Sequence, residues 1–477
     1  PFSHLTEFAL EEVFNKVKKE DDDCYNSREE RFINATSDYF DDEEDHALHE
    51  SIGNNISRKI LYSLISQDVD IRDKNDAKYQ FFLWVIYYFT MDILNDVENP
   101  GFLKDVHKLV DGSIDGDRLD YVSRDMINSG FDVGKIEYDR LISSMKLMKN
   151  EEKDEVDYLF CPRLKTINTI EDYFHRRWKL YKYILYHHRV SKTDALLKES
   201  IIQVSLDYLS EDKDEEKYDD ESMVLPSDIC GLWDAVKKVH SLEKYFNALI
   251  QWDDAWLMTV LKRSYFENYH NEDSNIRYKL EELLSNKKYY NSLIKRMEEF
   301  KDIDKKVAYS LEENNILKKL ETFKGDFGEK TRENIITNIK KILKSYKVGQ
   351  IPDEGFILCQ LNILFDTVLG EDNIFDIIVN EAVQEVVNSN EKLEDAIVVA
   401  KPLKTGLKNM PSIYRDNEVH LLNEFSNIKK DLEKDRNLFP LFYIYVNNPE
   451  HIDYTNLRDE IGKKLSDKIV YYINEIS

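Results

Sequence analysis

The sequence predicts a mainly α-helical protein that ends in a smaller α+β region with a short antiparallel sheet. Three observations carry this expectation. Only 14 glycines and 9 prolines punctuate 477 residues, and 42% of the chain is hydrophobic against 33% charged, a balance that favours helices over a sandwich, a barrel or a disordered chain. Apolar residues recur at helical spacing through the first part of the chain. Near the C-terminus the period shortens, and β-branched and aromatic runs appear between prolines.

The helical elements come first in the chain. Phe81 to Met91 is its longest apolar stretch, too short to cross a bilayer, and it reads as a buried helix. Trp233, Val236 and Val239 keep helical spacing, as do Trp252, Trp256 and Val260, with Leu257 and Leu261 on the adjacent row. Both sets are expected in the core, not in a cofactor box. Acidic runs at Glu20–Asp23, Asp41–Asp45 and Glu211–Glu221 interrupt the periodicity and read as solvated loops.

Three short strands are expected at Ala396–Ala400, Glu418–Leu422 and Leu441–Val446, bounded by Pro402, Pro440 and Pro449. A helical part followed by this mixed end places a boundary near residue 300, giving domains 1–300 and 301–477.

Composition also excludes classes of function. The four cysteines are far apart and form no CxxC pair, so neither a zinc ribbon nor a disulfide scaffold is indicated, and a reducing cytoplasm fits best. No membrane association is expected. A net charge of −27 argues against extensive nucleic-acid binding, which needs a broad cationic surface, yet one pocket with a few cations can still hold a phosphorylated small molecule. Neither GxxxxGK[ST] nor GxGxxG occurs, so phosphate chemistry would rest on a metal and on side chains.

The most informative stretch runs from Ser113 to Asp125, SIDGDRLDYVSRD. As a helix it sets Asp117, Tyr121 and Asp125 on one stripe with Arg118 and Arg124 beside it, and spacing alone favours a solvated amphipathic helix with i,i+4 charge pairs. A second stretch, RWKLYKYILYHHRV, sets Arg177 one turn before Tyr181 and ends in His187-His188. Adjacent helical residues point about 100° apart and seldom chelate together, so a direct metal role for His187 is not expected.

SIDGDRLDYVSRD closely resembles the D-x-D-R-x-D-Y-x-x-R-D segment of HD-domain deoxynucleoside-triphosphate triphosphohydrolases. Pro1-Phe2-Ser3-His4 is similar to the end of that family's H-D-x-G-H-G-P-F-S-H motif, His49-Glu50 to its HE pair, and Arg177 to Val190 to its R-x-x-x-Y-x-x-V-Y-x-H-x-x-V helix, with Leu185 in place of the second aromatic. The stretch Gln251 to Arg296 also resembles a family pattern, so the likeness covers most of residues 1–300.

The resemblance implies an HD-domain helical bundle and a hydrolase that releases deoxynucleoside and triphosphate from dNTPs. It makes Asp117 a ligand of a divalent metal ion, of the kind Mg, Mn, Zn, Fe or Ni, with the His-Asp doublet and a further ligand His expected before Pro1. It makes His4 a candidate acid for the leaving group and His49 with Glu50 an active-site pair near the reacting phosphate. Tyr121 and Asp125 match positions that hold the deoxyribose 3′ hydroxyl. Arg177, Tyr181 and His187 match substrate-binding positions, and Arg163 or Lys165 are further cations for the triphosphate. A nucleotide effector and a homo-oligomer are implied as partners. Two other readings stay open: another HD nucleotide phosphohydrolase acting on monophosphates, alarmones or cyclic nucleotides, and a non-catalytic nucleotide-binding scaffold.

Overall fold

The computed structural model describes residues 3–18, 25–40, 48–71, 77–94, 106–110, 112–131, 134–150, 157–211, 222–239, 241–322, 329–350, 352–369, 374–400, 410–436, 439–448 and 450–475. The protein is mainly helical with small antiparallel sheets, as its composition predicts. The acidic runs 20–23 and 41–45, and all of 211–221 but its first residue, lie outside the described residues. The chain forms two compact units, one of residues 1–116, 147–160 and 193–287, the other of residues 117–146, 161–192 and 288–477.

The first unit is a helical core. Leu10, Phe14, Phe32, Ile201, Leu232, Leu257, Leu261 and Leu280 are buried together, with Trp233 edge-on to Phe32 at 5.1 Å between ring centroids. The two tryptophan-containing sets meet this core as their spacing predicts: Trp233, Val236 and Val239 are buried, and Trp252 and Trp256 pack against it. A Cβ on Gly231 would lie 2.4 Å from the Trp256 ring and 2.7 Å from the Pro226 carbonyl, so this close approach requires glycine. Asp234 and Lys238 form an i,i+4 ion pair with both side chains almost fully buried.

The Phe81–Met91 stretch is helical, within Ala77–Leu94, but the expectation of burial is corrected on one face. Tyr87 and Met91 are buried against the Leu48–Ile71 helix through Leu61 and Ile65, while Phe81, Phe82, Ile86, Tyr88 and Phe89 are exposed. The stretch is apolar all round, and among the described residues the Leu48–Ile71 helix packs on one side of it.

Strands β1 (Lys146–Asn150) and β2 (Asp157–Cys161) form a two-stranded sheet. In the second unit, strands β3 (Tyr290–Ile294), β4 (Asp395–Ala400) and β7 (Phe442–Asn447) form an antiparallel sheet in the order β3-β7-β4. Asp395 pairs with Asn447 and Ala400 with Phe442, while β3 meets β7 with an irregularity between Ser292 and Ile294. Strands β5 (Ser412–Arg415) and β6 (Glu418–Leu421) form a separate hairpin. Three of these strands stand where the C-terminal runs predict them; β3 and β5 carry no such signal. All six residues of β7 are buried because it is the central strand with both faces covered.

Phe442, Ile444 and Val446 point into a large apolar cluster with Phe300, Val307, Phe356, Val383 and Leu465. On the opposite face the Tyr443 hydroxyl donates to the Tyr186 carbonyl at 2.8 Å and the Tyr445 hydroxyl to the His188 carbonyl. The central strand thereby anchors the segment that follows Tyr181. Deep in the same unit, the fully buried Asp304 accepts hydrogen bonds from the Tyr346 hydroxyl and from the backbone N–H groups of Ile357 (3.1 Å) and Leu358 (2.7 Å). It thus satisfies donors at the start of the Ile357–Leu369 helix.

Candidate functional site

The helix carrying Asp117, Tyr121 and Asp125 spans Gly116–Asn128. An acid in its first turn suits the positive end of the helix dipole. The helix ends where Gly130 takes a left-handed φ of 79°, with Phe131 N–H donating to the Met126 carbonyl at 3.1 Å and Gly130 N–H to Ile127 at 3.0 Å. Its inner face buries Val122 and Met126, which turns Tyr121 towards the neighbouring helix and leaves Asp117 exposed.

That neighbour is Ile167–Leu180, whose inner face buries Ile170, Tyr173, Phe174, Arg177, Trp178 and Leu180. It runs directly into a π-helical turn at Tyr181–Leu185, closed by the Tyr186 N–H on the Tyr181 carbonyl at 2.8 Å. Single π turns inside helices recur at functional sites because they re-aim the side chains around them. Here the turn is held from outside by Asp435, which accepts from Trp178 Nε1 at 2.6 Å and from Lys182 Nζ at 2.7 Å.

The two helices meet through a cluster of phenols around one guanidinium. The hydroxyls of Tyr121 and Tyr181 are 3.4 Å apart, and the Arg177 guanidinium carbon lies 5.4 Å from the Tyr181 ring centroid. The Tyr186 ring stacks on Tyr181 at 5.9 Å. Burial pushes the Tyr121 phenol well above the ordinary tyrosine range, helped by its hydrogen bond to Tyr181. Burial also works against the Arg177 charge, but hydrogen bonding with Tyr181 and the nearby phenols of Tyr121 and Tyr173 outweigh it and hold the pKa above its ordinary value. For Tyr181, burial is outweighed by hydrogen bonds with Tyr121 and Arg177 and by the charges of Arg177 and Arg118, which lower its pKa. The result is a permanently charged, 7%-exposed guanidinium beside hydroxyls, a group suited to an anionic or hydroxyl-bearing ligand.

The remaining predicted residues lie as follows. Asp125 accepts from Arg124 Nε at 3.2 Å, and Arg124 also pairs with Asp120. His187 sits immediately before the His188–Ser210 helix, where its Nδ1 accepts from the Arg189 N–H at 3.3 Å and its ring lies against that of His188 at 4.5 Å. Burial, with His187, Lys295, Arg189 and Lys192 close by, presses His188 down to about 4. Arg163 is half-buried and bridges to Tyr414, and Lys165 is exposed. His4 lies in the first compact unit, exposed on the Ser3–Val17 helix with its Nδ1 3.6 Å from Glu7. His49 and Glu50 lie in the backbone of the Leu48–Ile71 helix of that unit, and their side chains are outside the described residues.

The structure therefore brings Tyr121, Arg177 and Tyr181 together. Tyr173 and Tyr186 belong to the same cluster without having been assigned a role from the sequence. Tyr173 stands four residues before Arg177, so helical spacing was the signal that could have found it. Asp117 supplies one carboxylate, and no group of three His, Cys, Asp or Glu side chains that could hold a metal occurs among the described residues. These residues alone do not make up the donor set of a divalent ion.

No family model matches the chain. An uncharacterized protein of Methanocaldococcus jannaschii is 27% identical over 117 residues, which covers 24% of this chain and 25% of that protein. The match thus spans about a quarter of the relative's length. Among solved structures, a phosphohydrolase from Bacteroides thetaiotaomicron aligns over 93% of this chain and 86% of its own, at 14% identity and a TM-score of 0.40. A likeness at that score carries no assignment of fold family or activity.

Proposed function

We propose that this protein is a metal-dependent phosphohydrolase that cleaves dNTPs to deoxynucleoside and inorganic triphosphate. The observation that carries the reading is the meeting of Tyr121 with Tyr181 and Arg177. The two segments are far apart in sequence and resemble the same family independently, one at its sugar-holding positions and the other at its phosphate-facing helix. Their side chains form one cluster.

Within this reading Arg177 offsets charge on the triphosphate, and its near-complete burial strengthens that interaction by excluding water. Tyr121, whose phenol burial keeps protonated, and Tyr181 beside it orient the sugar hydroxyl. Tyr186, stacked on Tyr181, holds the ring in place. Asp125, His187, His4, His49 and Glu50 keep the substrate and acid roles that the resemblance gives them. Asp117 would be one ligand of a divalent ion, which when bound would supply an activated water and polarise the phosphate. A cytoplasmic location and a nucleotide effector belong to the same proposal.

The test is product identity. The protein, including any residues that precede Pro1 in its natural chain, is incubated with each dNTP with and without Mn²⁺ or Mg²⁺, and products are separated by ion exchange. Deoxynucleoside with triphosphate supports the reading. Monophosphate with pyrophosphate, or turnover of cyclic nucleotides alone, assigns the site to another nucleotide phosphohydrolase.

A further inference from the structure

The Ala77–Leu94 helix has two apolar faces, and among the described residues its hydrophobic packing is with the Leu48–Ile71 helix. At 100° per residue, Leu83, Trp84, Tyr87 and Met91 occupy one side, and these are the residues that pack with Leu61 and Ile65 of the Leu48–Ile71 helix. Phe81, Phe82, Ile86, Tyr88 and Phe89 occupy the other and are 71%, 58%, 42%, 61% and 51% exposed. Ile60 and Leu64, one turn apart on the partner helix, are exposed as well. A helix that is hydrophobic all round is ordinarily a buried one.

We infer that this helical hairpin is a self-association surface on which a second copy of the chain docks, the two hairpins forming a four-helix bundle around a twofold axis. Area and charge both select this occupant. The five exposed side chains present roughly 600 Å² per copy, since aromatic side chains of this size bury about 150–250 Å² each. Two copies therefore reach about 1,200 Å², the lower bound of stable protein interfaces, before Ile60 and Leu64 are added. The patch on one copy stands at the upper end of the roughly 300–600 Å² of the largest apolar patch on an ordinary monomer.

Charge supplies the second argument. A net charge of −27 opposes self-association over most surfaces, but Tyr79 to Met91 contains no charged residue. A second copy of this segment meets it without like-charge repulsion. An anionic lipid surface is disfavoured by the same net charge, because the helix has Lys78 as its one basic residue and lacks the Lys- and Arg-rich polar face of membrane-surface helices. Aromatic side chains are also the residues that dominate binding energy at protein interfaces. The inference assigns a surface to the homo-oligomer that the resemblance implies, and it uses none of the residues placed in the phosphohydrolase site.

Sedimentation velocity on the full chain tests it. At about 10 µM, within the affinity range of interfaces of this size, the wild-type protein is expected at twice the 56.6 kDa chain mass. The double variant Phe82→Glu/Phe89→Glu is expected at the single mass with an unchanged circular dichroism spectrum, its association weakened by at least about 100-fold. Hydrogen exchange on the wild type gives a readout independent of the variant: protection of residues 77–94 should rise with protein concentration. A wild-type monomer, a variant that stays dimeric, or protection independent of concentration overturns the inference. So does a wild-type monomer that floats with phosphatidylcholine vesicles, which would assign the face to a lipid surface.

Discussion

The hydroxyls of Tyr121 and Tyr181 lie 3.4 Å apart although 60 residues separate them in sequence, and Arg177 lies against the Tyr181 ring. The Gly116–Asn128 helix and the Ile167–Leu180 helix with its π turn converge there, and the buried strand β7 anchors the turn through Tyr443 and Tyr445. Secondary structure, packing and candidate chemistry meet in this cluster.

Arg177→Ala should weaken dNTP binding by roughly 10- to 100-fold, the equivalent of losing a charged hydrogen bond worth about 1.5–3 kcal/mol. Arg177→Lys should recover only part of this, because an ammonium cannot reproduce the planar fork of a guanidinium. Isothermal titration with a slowly hydrolysed dNTP analogue measures both, alongside thermal melts that report whether the variants fold. Equal binding by wild type and the alanine variant would remove Arg177 from the site.

Asp435 acts at a distance, by holding Trp178 and Lys182 on either side of the site helix's junction with the π turn. Asp435→Ala removes an indole hydrogen bond and a partly exposed ion pair and should cost about 1–2 kcal/mol of stability. Urea unfolding checks the stability, and near-ultraviolet circular dichroism at the tryptophan bands checks the local rearrangement. An unchanged unfolding midpoint would show that the π turn holds its shape without this clamp.

Asp304 predicts a pH dependence. Burial raises its carboxyl from 3.8 to about 6, against the opposing hydrogen bonds of Tyr346, Leu358 and Ile357. Between those values the folded chain holds a proton that the unfolded chain has released, so this group's contribution to stability falls as pH rises from about 4 to 6. Two pK units correspond to about 3 kcal/mol. The stability difference between wild type and Asp304→Asn should therefore shift by up to that amount in the variant's favour across this window, as read from urea midpoints at pH 4 and 6.5. A difference independent of pH contradicts the assignment.

Much of this architecture was legible in the sequence. Scarce glycine and proline, helical spacing and proline-bounded β-branched runs give the helices and three of the C-terminal strands because these are local signals. Strand β3 was not legible: its register on β7 is set by contacts more than a hundred residues away. The exposed side of Ala77–Leu94 was equally hidden, since composition reports how apolar a helix is and not how many neighbours cover it. In the site, the i,i+4 spacing of Asp117, Tyr121 and Asp125 marks a stripe, but only tertiary structure brings Tyr181 and Arg177 to Tyr121. It also shows Asp125 beside Arg124 and the His187 ring accepting a backbone N–H of the following helix.

The most direct measurement is dNTP turnover by wild type, Asp117→Ala and Tyr121→Phe under identical metal conditions, with products identified by ion exchange. Asp117 is exposed and Tyr121 half-buried, so both substitutions are compatible with a retained fold, which thermal melts confirm. Wild type should release deoxynucleoside and triphosphate only with metal. Asp117→Ala should show no turnover, and Tyr121→Phe a loss of roughly 10-fold or more, the order of one hydrogen bond to substrate. Wild-type protein that binds metal yet turns over no dNTP, or an Asp117→Ala variant as active as wild type, would overturn the dNTP phosphohydrolase reading.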